Sequence, residues 1–450
     1  MDNIEYLDLQ TKDREIVWHS MRAYQSNFSE VFVKGEGCHV INANGTKYLD
    51  AMSGLWSVNV GYGRTELAEA AYKQLNQLAF YPLTQSHLPA IKLAEKLNSY
   101  LDNEYVFFFS NSGSEANELA FKIARQYQMQ KGQHSKSKIV SRYRSYHGNT
   151  LGALAATGQA QRKYKYEPLV QGFIHVSPPD MYRNDYCETD NPLDLECVKV
   201  VDEVMTWELS ETIAAFIMEP IITGGGILMP PDDYMKGIKS ICEKHDALLI
   251  VDEVICGFGR TGEMFGFMNY GVKPDIISMA KGITSSYLPL AATAVKKEVF
   301  DQFKGAEMYD HLRHVNTSGG HPASCAVAIE NIEILERENL VMRSKEKGER
   351  LLKELQELLS AHPNVGEVRG KGLLIGIELV ESKKTKEPIH PVKINRVVAS
   401  CKEKGVIIGK NGDTVAGFNN VLQIAPPLSI QNEELEQIVK TVVESIVECL

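Results

Sequence analysis

The 450-residue sequence has no Cys-x-x-Cys pair, no run of more than two basic residues, no stretch of 18 apolar residues and no Gly-x-x-x-x-Gly-Lys-[Ser/Thr] segment. Each absence closes a class of function. The eight cysteines (38, 187, 197, 242, 256, 325, 401 and 449) have no histidines at zinc-finger spacing, so they read as scattered reduced thiols and no metal site is indicated. Acidic side chains outnumber basic ones 58 to 48, a net charge of −10, and this gives no support to a nucleic-acid or anionic-membrane partner. The N-terminal MDNIEYLDLQTKDREIVW has no apolar core to serve as a signal peptide, and a cytoplasmic location is expected. Without a phosphate-binding loop, the acidic run ALLIVDEV (247–254) is not half of a nucleotide site: Gly370-Lys371 and Gly409-Lys410 are followed by Gly and Asn.

What the chain does have is 44% hydrophobic residues, which excludes disorder, and a length suited to two or three domains. YVFFFS (105–110), SKIVS (137–141), AAFIMEP (214–220), ALLIVDEV and DIISMA (275–280) alternate with helical patterns, which predicts an α/β class with a largely parallel, buried sheet. Between the first two, Ala116, Leu119, Ala120, Ile123, Ala124 and Tyr127 recur at helical spacing. Beyond residue 322 come long charged helices to Leu359, a strand-like VRGKGLLIGIELV (368–380) and a closing amphipathic helix. Near the start, Asn44-Gly45 between two short runs signals a hairpin. The expected division is 1–60 and 323–450 as two parts of a small α+β domain, and 61–322 as a large one.

Gly257-Phe-Gly259-Arg-Thr-Gly262 fits G-x-G-x-x-G after a strand, yet too few residues follow before Pro274 for the helix that a dinucleotide site requires.

Charge isolation is the sharpest signal. From Ile276 to Val295 the only charged residue is Lys281. Burial there favours the neutral amine, a nucleophile for an aldehyde; the alternative is a lysine that snorkels to water. Asp252-Glu253 closes the preceding strand with no other carboxylate or base from Ala247 to Gly259. A carboxylate so placed can pair with a protonated pyridine nitrogen and keep the ring electron-poor, as pyridoxal phosphate chemistry requires. Ser112-Gly113-Ser114 opens a helix after YVFFFS, an anion cup or equally a capping box between Ser112 and Glu115. Tyr146 and His147 offer an aromatic platform, and Thr317 lies in a glycine-rich turn.

Ser112 to Asn117, Tyr146-His147-Gly148, Glu219-Pro220, Asp252-Glu253-Val254 with GFGRTG, Lys281 and Thr317 stand in the order found in class III pyridoxal-phosphate aminotransferases, which the sequence resembles over nearly its whole length. The resemblance implies the fold of type I pyridoxal-phosphate enzymes, with a large domain around a mainly parallel seven-stranded sheet. It implies Lys281 as the Schiff-base lysine, Asp252 on the ring nitrogen, and Val254 and Tyr146 on the ring faces. Ser112, Gly113 and Ser114 would hold phosphate, with Thr317 from the neighbouring subunit; His147 and Glu219 complete the cofactor site. A homodimer with shared active sites, or a tetramer of such dimers, follows.

Within the family the likeness is to omega-aminotransferases that use taurine or β-alanine with pyruvate. It rests on Leu55-Trp56, on Arg162 in GQAQRKYKYEP (158–168), and on GKNGDTV before VLQIAPPL. Arg162 would face an acidic substrate group, or else belongs to a surface patch with Lys163 and Lys165. Many relatives place an arginine for an α-carboxylate just before the APPL-like run, where this chain has Gln423. Other readings are the biotin-pathway aminotransferase that uses S-adenosylmethionine, a 4-aminobutyrate aminotransferase, a racemase or mutase, and a regulator that binds the cofactor without turnover.

Overall fold

The computed structural model describes residues 3–21, 23–24, 29–184 and 192–450. Cys187 lies outside them, and the seven described cysteines form no disulfide. Among the described residues, no helix is long and apolar enough to cross a membrane.

Seven strands form the central sheet: β1 (Tyr105–Ser110), β2 (Lys138–Arg142), β3 (Phe173–Val176), β4 (Ile213–Met218), β5 (Leu248–Asp252), β6 (Ile276–Met279) and β7 (Ala291–Lys296). Their order is β1-β7-β6-β5-β4-β2-β3. Pairing is parallel from β6 through β5, β4 and β2 to β3, whereas β7 runs antiparallel to both β1 and β6. Every residue of β4 and β5 is buried, as expected of parallel strands covered on both faces.

Five of the seven strands are the apolar runs of the sequence; β3 and β7 are not. Alanine has little strand preference, so AATAVK gives no local signal. Its small side chains are used in packing. Ala291 clusters with Ala116 and Ala280, which brings the helix Gly113–Gln130 close enough for Thr293 Oγ1 to donate to the Ala116 carbonyl at 3.0 Å.

Of two smaller sheets, one joins the two ends of the chain and the other is built from the C-terminal part alone. The expected hairpin pairs His39–Asn42 with Lys47–Asp50, and Val406–Ile407 adds to the latter in parallel, Val406 opposite Leu49. The run read as a single strand at 368–380 is two, Val365–Gly370 and Ile375–Ser382, paired antiparallel. The turn between them puts Gly372 at φ 55°, where a Cβ would lie 2.5 Å from the Thr261 carbonyl carbon, so only glycine fits.

Parallel strands deliver their following loops to one edge of the sheet, the usual ligand edge of such folds. Ser112 follows β1, Tyr146 follows β2, Glu219 follows β4, Asp252 ends β5 and Lys281 follows β6.

Candidate active site

A cavity of about 420 Å³ opens at that edge, lined by Ser112, Gly113, Ser114, Tyr146, His147, Glu219, Asp252, Val254 and Lys281 among others. Nine residues singled out in the sequence thus meet in one place, although they are spread over 170 positions (281 − 112 + 1 = 170).

Lys281 has left-handed backbone, φ 49°, a strained state for a residue with a side chain and one that collects at functional sites. Its Nζ lies 5.2 Å from the centroid of the Trp56 ring and has no hydrogen-bond or ion-pair partner among the described residues. Burial pushes the ammonium down to about 8, opposed by the Asp252 and Glu219 carboxylates. A fraction of the amine is therefore neutral and nucleophilic near neutral pH.

Asp252 is 3% exposed and firmly held. Oδ2 accepts from Asn117 Nδ2 at 2.8 Å and lies 2.9 Å from His147 Nδ1, and Oδ1 accepts from the Val254 amide at 3.1 Å. A carboxylate only accepts, so His147 carries its proton on Nδ1 and donates. The His147 side chain is wholly buried, unlike a stacking surface that faces an open cavity. Its ring sits against Asp252, and both it and Tyr146 are among the residues lining the cavity. Asn117, a second donor to Asp252, was not singled out as a site residue; its only sequence signal was membership of the SGSEAN run. His147 Nε2 and Asn117 Oδ1 are buried without partners among the described residues.

Glu219 supports the opposite wall. Oε1 accepts from the Tyr146 amide at 3.1 Å, and Oε2 accepts from the Thr223 amide at 3.0 Å and its hydroxyl at 2.6 Å. Burial raises its pKa, with the His147 imidazole opposing.

The cap is present, and Ser112, Gly113 and Ser114 also line the cavity. Ser112 is the N-cap of Gly113–Gln130, its Oγ accepting from the Glu115 amide at 3.3 Å. The Glu115 carboxylate turns back to the Asn111 amide at 2.7 Å rather than to Ser112, which keeps its charge off the cup. The first amides of a helix lack intrahelical partners, and with two serine hydroxyls they suit a phosphate. Gly113 is tight: a Cβ there would lie 2.8 Å from Val254 Cγ2. Gly113→Ala is expected to weaken retention of pyridoxal phosphate about tenfold, the scale of a modest overpacking cost. Equilibrium dialysis of the apoprotein against the cofactor checks it.

Lysine amine, buried carboxylate, anion cup and the branched side chain of Val254 together fit pyridoxal phosphate. Bound there, the cofactor would present its aldehyde to the amine, its ring nitrogen to the carboxylate and its phosphate to the cup.

The substrate-side residues divide. Trp56 stands beside Lys281, in a segment with Ser53, Gly54 and Trp56 all at positive φ. That segment is pinned by Asp50, which accepts from the Met52 and Gly54 amides and from the Tyr62 hydroxyl. On the other side is Arg260, fully buried, donating to Ser53 Oγ and Asn59 Oδ1. The GFGRTG segment is thus a clamp on the Trp56 turn. Leu55 is 62% exposed. Arg162 stacks on Tyr146, 4.6 Å from the ring centroid, and is held by Gln159 Oε1 at 2.7 Å. It is half-buried, and burial lowers its pKa. Gln423 is buried in the small sheet and donates to the Thr223 carbonyl at 3.1 Å. Thr317 lies in an exposed turn and does not line the cavity within one chain.

Residues 21–446 match the family model Aminotransferase class-III. The chain is 65% identical over 446 residues to an uncharacterized aminotransferase of Bacillus subtilis (strain 168), which spans 99% of this chain and 98% of that one. It is 41% identical over 435 residues to the taurine–pyruvate aminotransferase of Bilophila wadsworthia, covering 96% and 95%. A Bacillus anthracis aminotransferase structure matches at TM-score 0.98 and 62% identity over 100% of both chains. An amine transaminase from an uncultivated Pseudomonas species, solved with pyridoxal phosphate bound, matches at TM-score 0.91 and 33% identity over 97% and 99%.

Proposed function

Because the chain belongs to the class III aminotransferases, enzymes that work with pyridoxal phosphate, we propose that it is an omega-aminotransferase that moves the amino group of taurine, β-alanine or a similar donor to pyruvate. The observation that carries this reading is Gln423. Where an arginine would hold an α-carboxylate, this chain has a buried amide committed to the Thr223 carbonyl. A cation placed for a distal anion is Arg162 on the Tyr146 ring, and the 41% identity to a taurine–pyruvate enzyme agrees with that choice.

Pyridoxal phosphate, when bound, supplies a ring that accepts the electron pair left as the donor carbon loses its proton. The protein does the rest. The neutral Lys281 Nζ takes that proton and later returns one. Asp252, held by His147 and Asn117, keeps negative charge against the ring nitrogen. Tyr146 and Val254 fix the plane of the ring, and Trp56 closes the side next to the lysine. Donor and acceptor use the same cavity in turn, so the kinetics are ping-pong.

In this reading residues 61–322 carry the cofactor, while 1–60 and 323–450 form the small domain. Two copies share each site, with Thr317 of the partner completing the phosphate cup. Leu78, Phe80, Tyr81, Leu88 and Ile91 are exposed on one stretch of chain, and Phe80 stacks on His321 beside the Thr317 turn, so an apolar surface adjoins that turn.

Arg162→Met tests the substrate class. KM for taurine or β-alanine is expected to rise at least about tenfold, the scale of one lost charge-assisted contact, with kcat for a donor without an anionic tail unchanged. Alanine formed from pyruvate is the readout. An equal loss for both donor types would remove Arg162 from substrate recognition.

A further inference from the structure

The turn that presents Lys281 is strained at more than one point. Lys281, Ser285 and Ser286 sit at φ 49°, 49° and 58°, three left-handed residues with side chains within six positions. Such a turn persists only when its surroundings fix it. At its centre Gly282 admits no side chain, since a Cβ would lie 2.6 Å from Asn59 Nδ2.

The group that fixes the turn comes from far away in sequence. Asn331, on the helix Pro322–Arg337, is fully buried, and its amide is spent on the turn. Nδ2 donates to the Gly282 carbonyl at 2.8 Å and to the Ile283 carbonyl at 3.1 Å, and Oδ1 accepts from the Ser285 hydroxyl at 2.6 Å. Ser285 Oγ in turn accepts from the Val60 amide at 3.2 Å, tying the turn to the segment that follows Trp56. Both hydrogens of the amide are used, on the two carbonyls directly after the lysine. Asn331 itself does not line the cavity.

We propose that Asn331 is a positioning residue for Lys281, holding the left-handed turn in the one conformation that aims the amine into the cavity. This rests on the reading of Lys281 as the reactive amine. Without Asn331, the Ile283 carbonyl loses its donor, the Gly282 carbonyl keeps only backbone amides of its own turn, and the turn relaxes toward less strained backbone, which swings Nζ away from the reacting carbon. Proton transfer depends steeply on such placement, whereas donor binding at Tyr146 and Arg162 does not.

Asn331→Ala, Ser285→Ala and Lys281→Met, each loaded with pyridoxal phosphate, test it. For Asn331→Ala we expect kcat to fall about 10²-fold, with KM for the donor unchanged. The visible band of the loaded protein should also titrate at a shifted pH, because that band reports the environment of the lysine linkage. Ser285→Ala should move both readouts the same way and less far, and it carries the test alone if Asn331→Ala does not fold. A purely structural role would lower the melting temperature but leave titration and kcat in place, and that result overturns the proposal while Lys281→Met stays inactive. An active Lys281→Met would overturn the functional reading, and this inference with it.

Discussion

Methionine in place of Lys281 is expected to lower turnover at least about 10⁴-fold, since on the proposed reading the change removes both the attachment point of the cofactor and the group that moves the proton. The side chains are close in length, and Nζ makes no hydrogen bond that the fold would lose. The fold should therefore survive, and the melting temperature of the apoprotein should match that of the parent. The wild-type lysine also sets a pH signature. Burial holds it down to about 8, so the neutral fraction climbs as pH rises through that value. Uptake of pyridoxal phosphate by the apoprotein, followed as a visible colour change, should accelerate with pH and level off above about 8. A rate indifferent to pH in this range would mean that a different group captures the aldehyde.

Asn in place of Asp252 should cost about 10²–10³-fold in kcat, the scale seen when a preorganised electrostatic partner is removed from a reacting centre. The substitution keeps size and shape but replaces a charged acceptor with a neutral amide. His147 and Asn117 both donate to Oδ2, so the new amide must present its oxygen to them and its NH2 to the Val254 amide side. The ring nitrogen then loses its anionic partner, and proton removal from the donor carbon slows. On the proposed reading the Ser112–Ser114 cup holds the phosphate independently of this exchange. The expected pattern is a large loss in kcat with nearly full cofactor occupancy, read by single-turnover kinetics alongside cofactor titration. Loss of occupancy with unimpaired chemistry in the loaded fraction would contradict it.

The sequence made some of this legible because charge in an apolar run is conspicuous. Lys281 and Asp252 announce themselves by isolation, and the strand that ends in Asp252 and the one just before Lys281 are too apolar to be anything but core. Other parts were hidden for definable reasons. β7 is built from alanines whose purpose is to let a helix approach, and that purpose exists only in three dimensions. His147 reads as an aromatic neighbour of Tyr146, yet consecutive side chains in a loop point different ways, and its ring is buried against Asp252. The G-x-G-x-x-G spacing of the 257–262 segment mimics a dinucleotide fingerprint, although its arginine is buried as a clamp on the Trp56 turn. Asn331 has no local signal at all: it is one polar residue on a long helix, and its partners lie 46 to 49 positions away.

The most direct test of the central claim is chemical. Borohydride reduction of the protein loaded with pyridoxal phosphate, followed by digestion and mass spectrometry, should place a single pyridoxyl adduct on Lys281. An adduct on another lysine, or none on a protein that remains an active transaminase, would contradict the account.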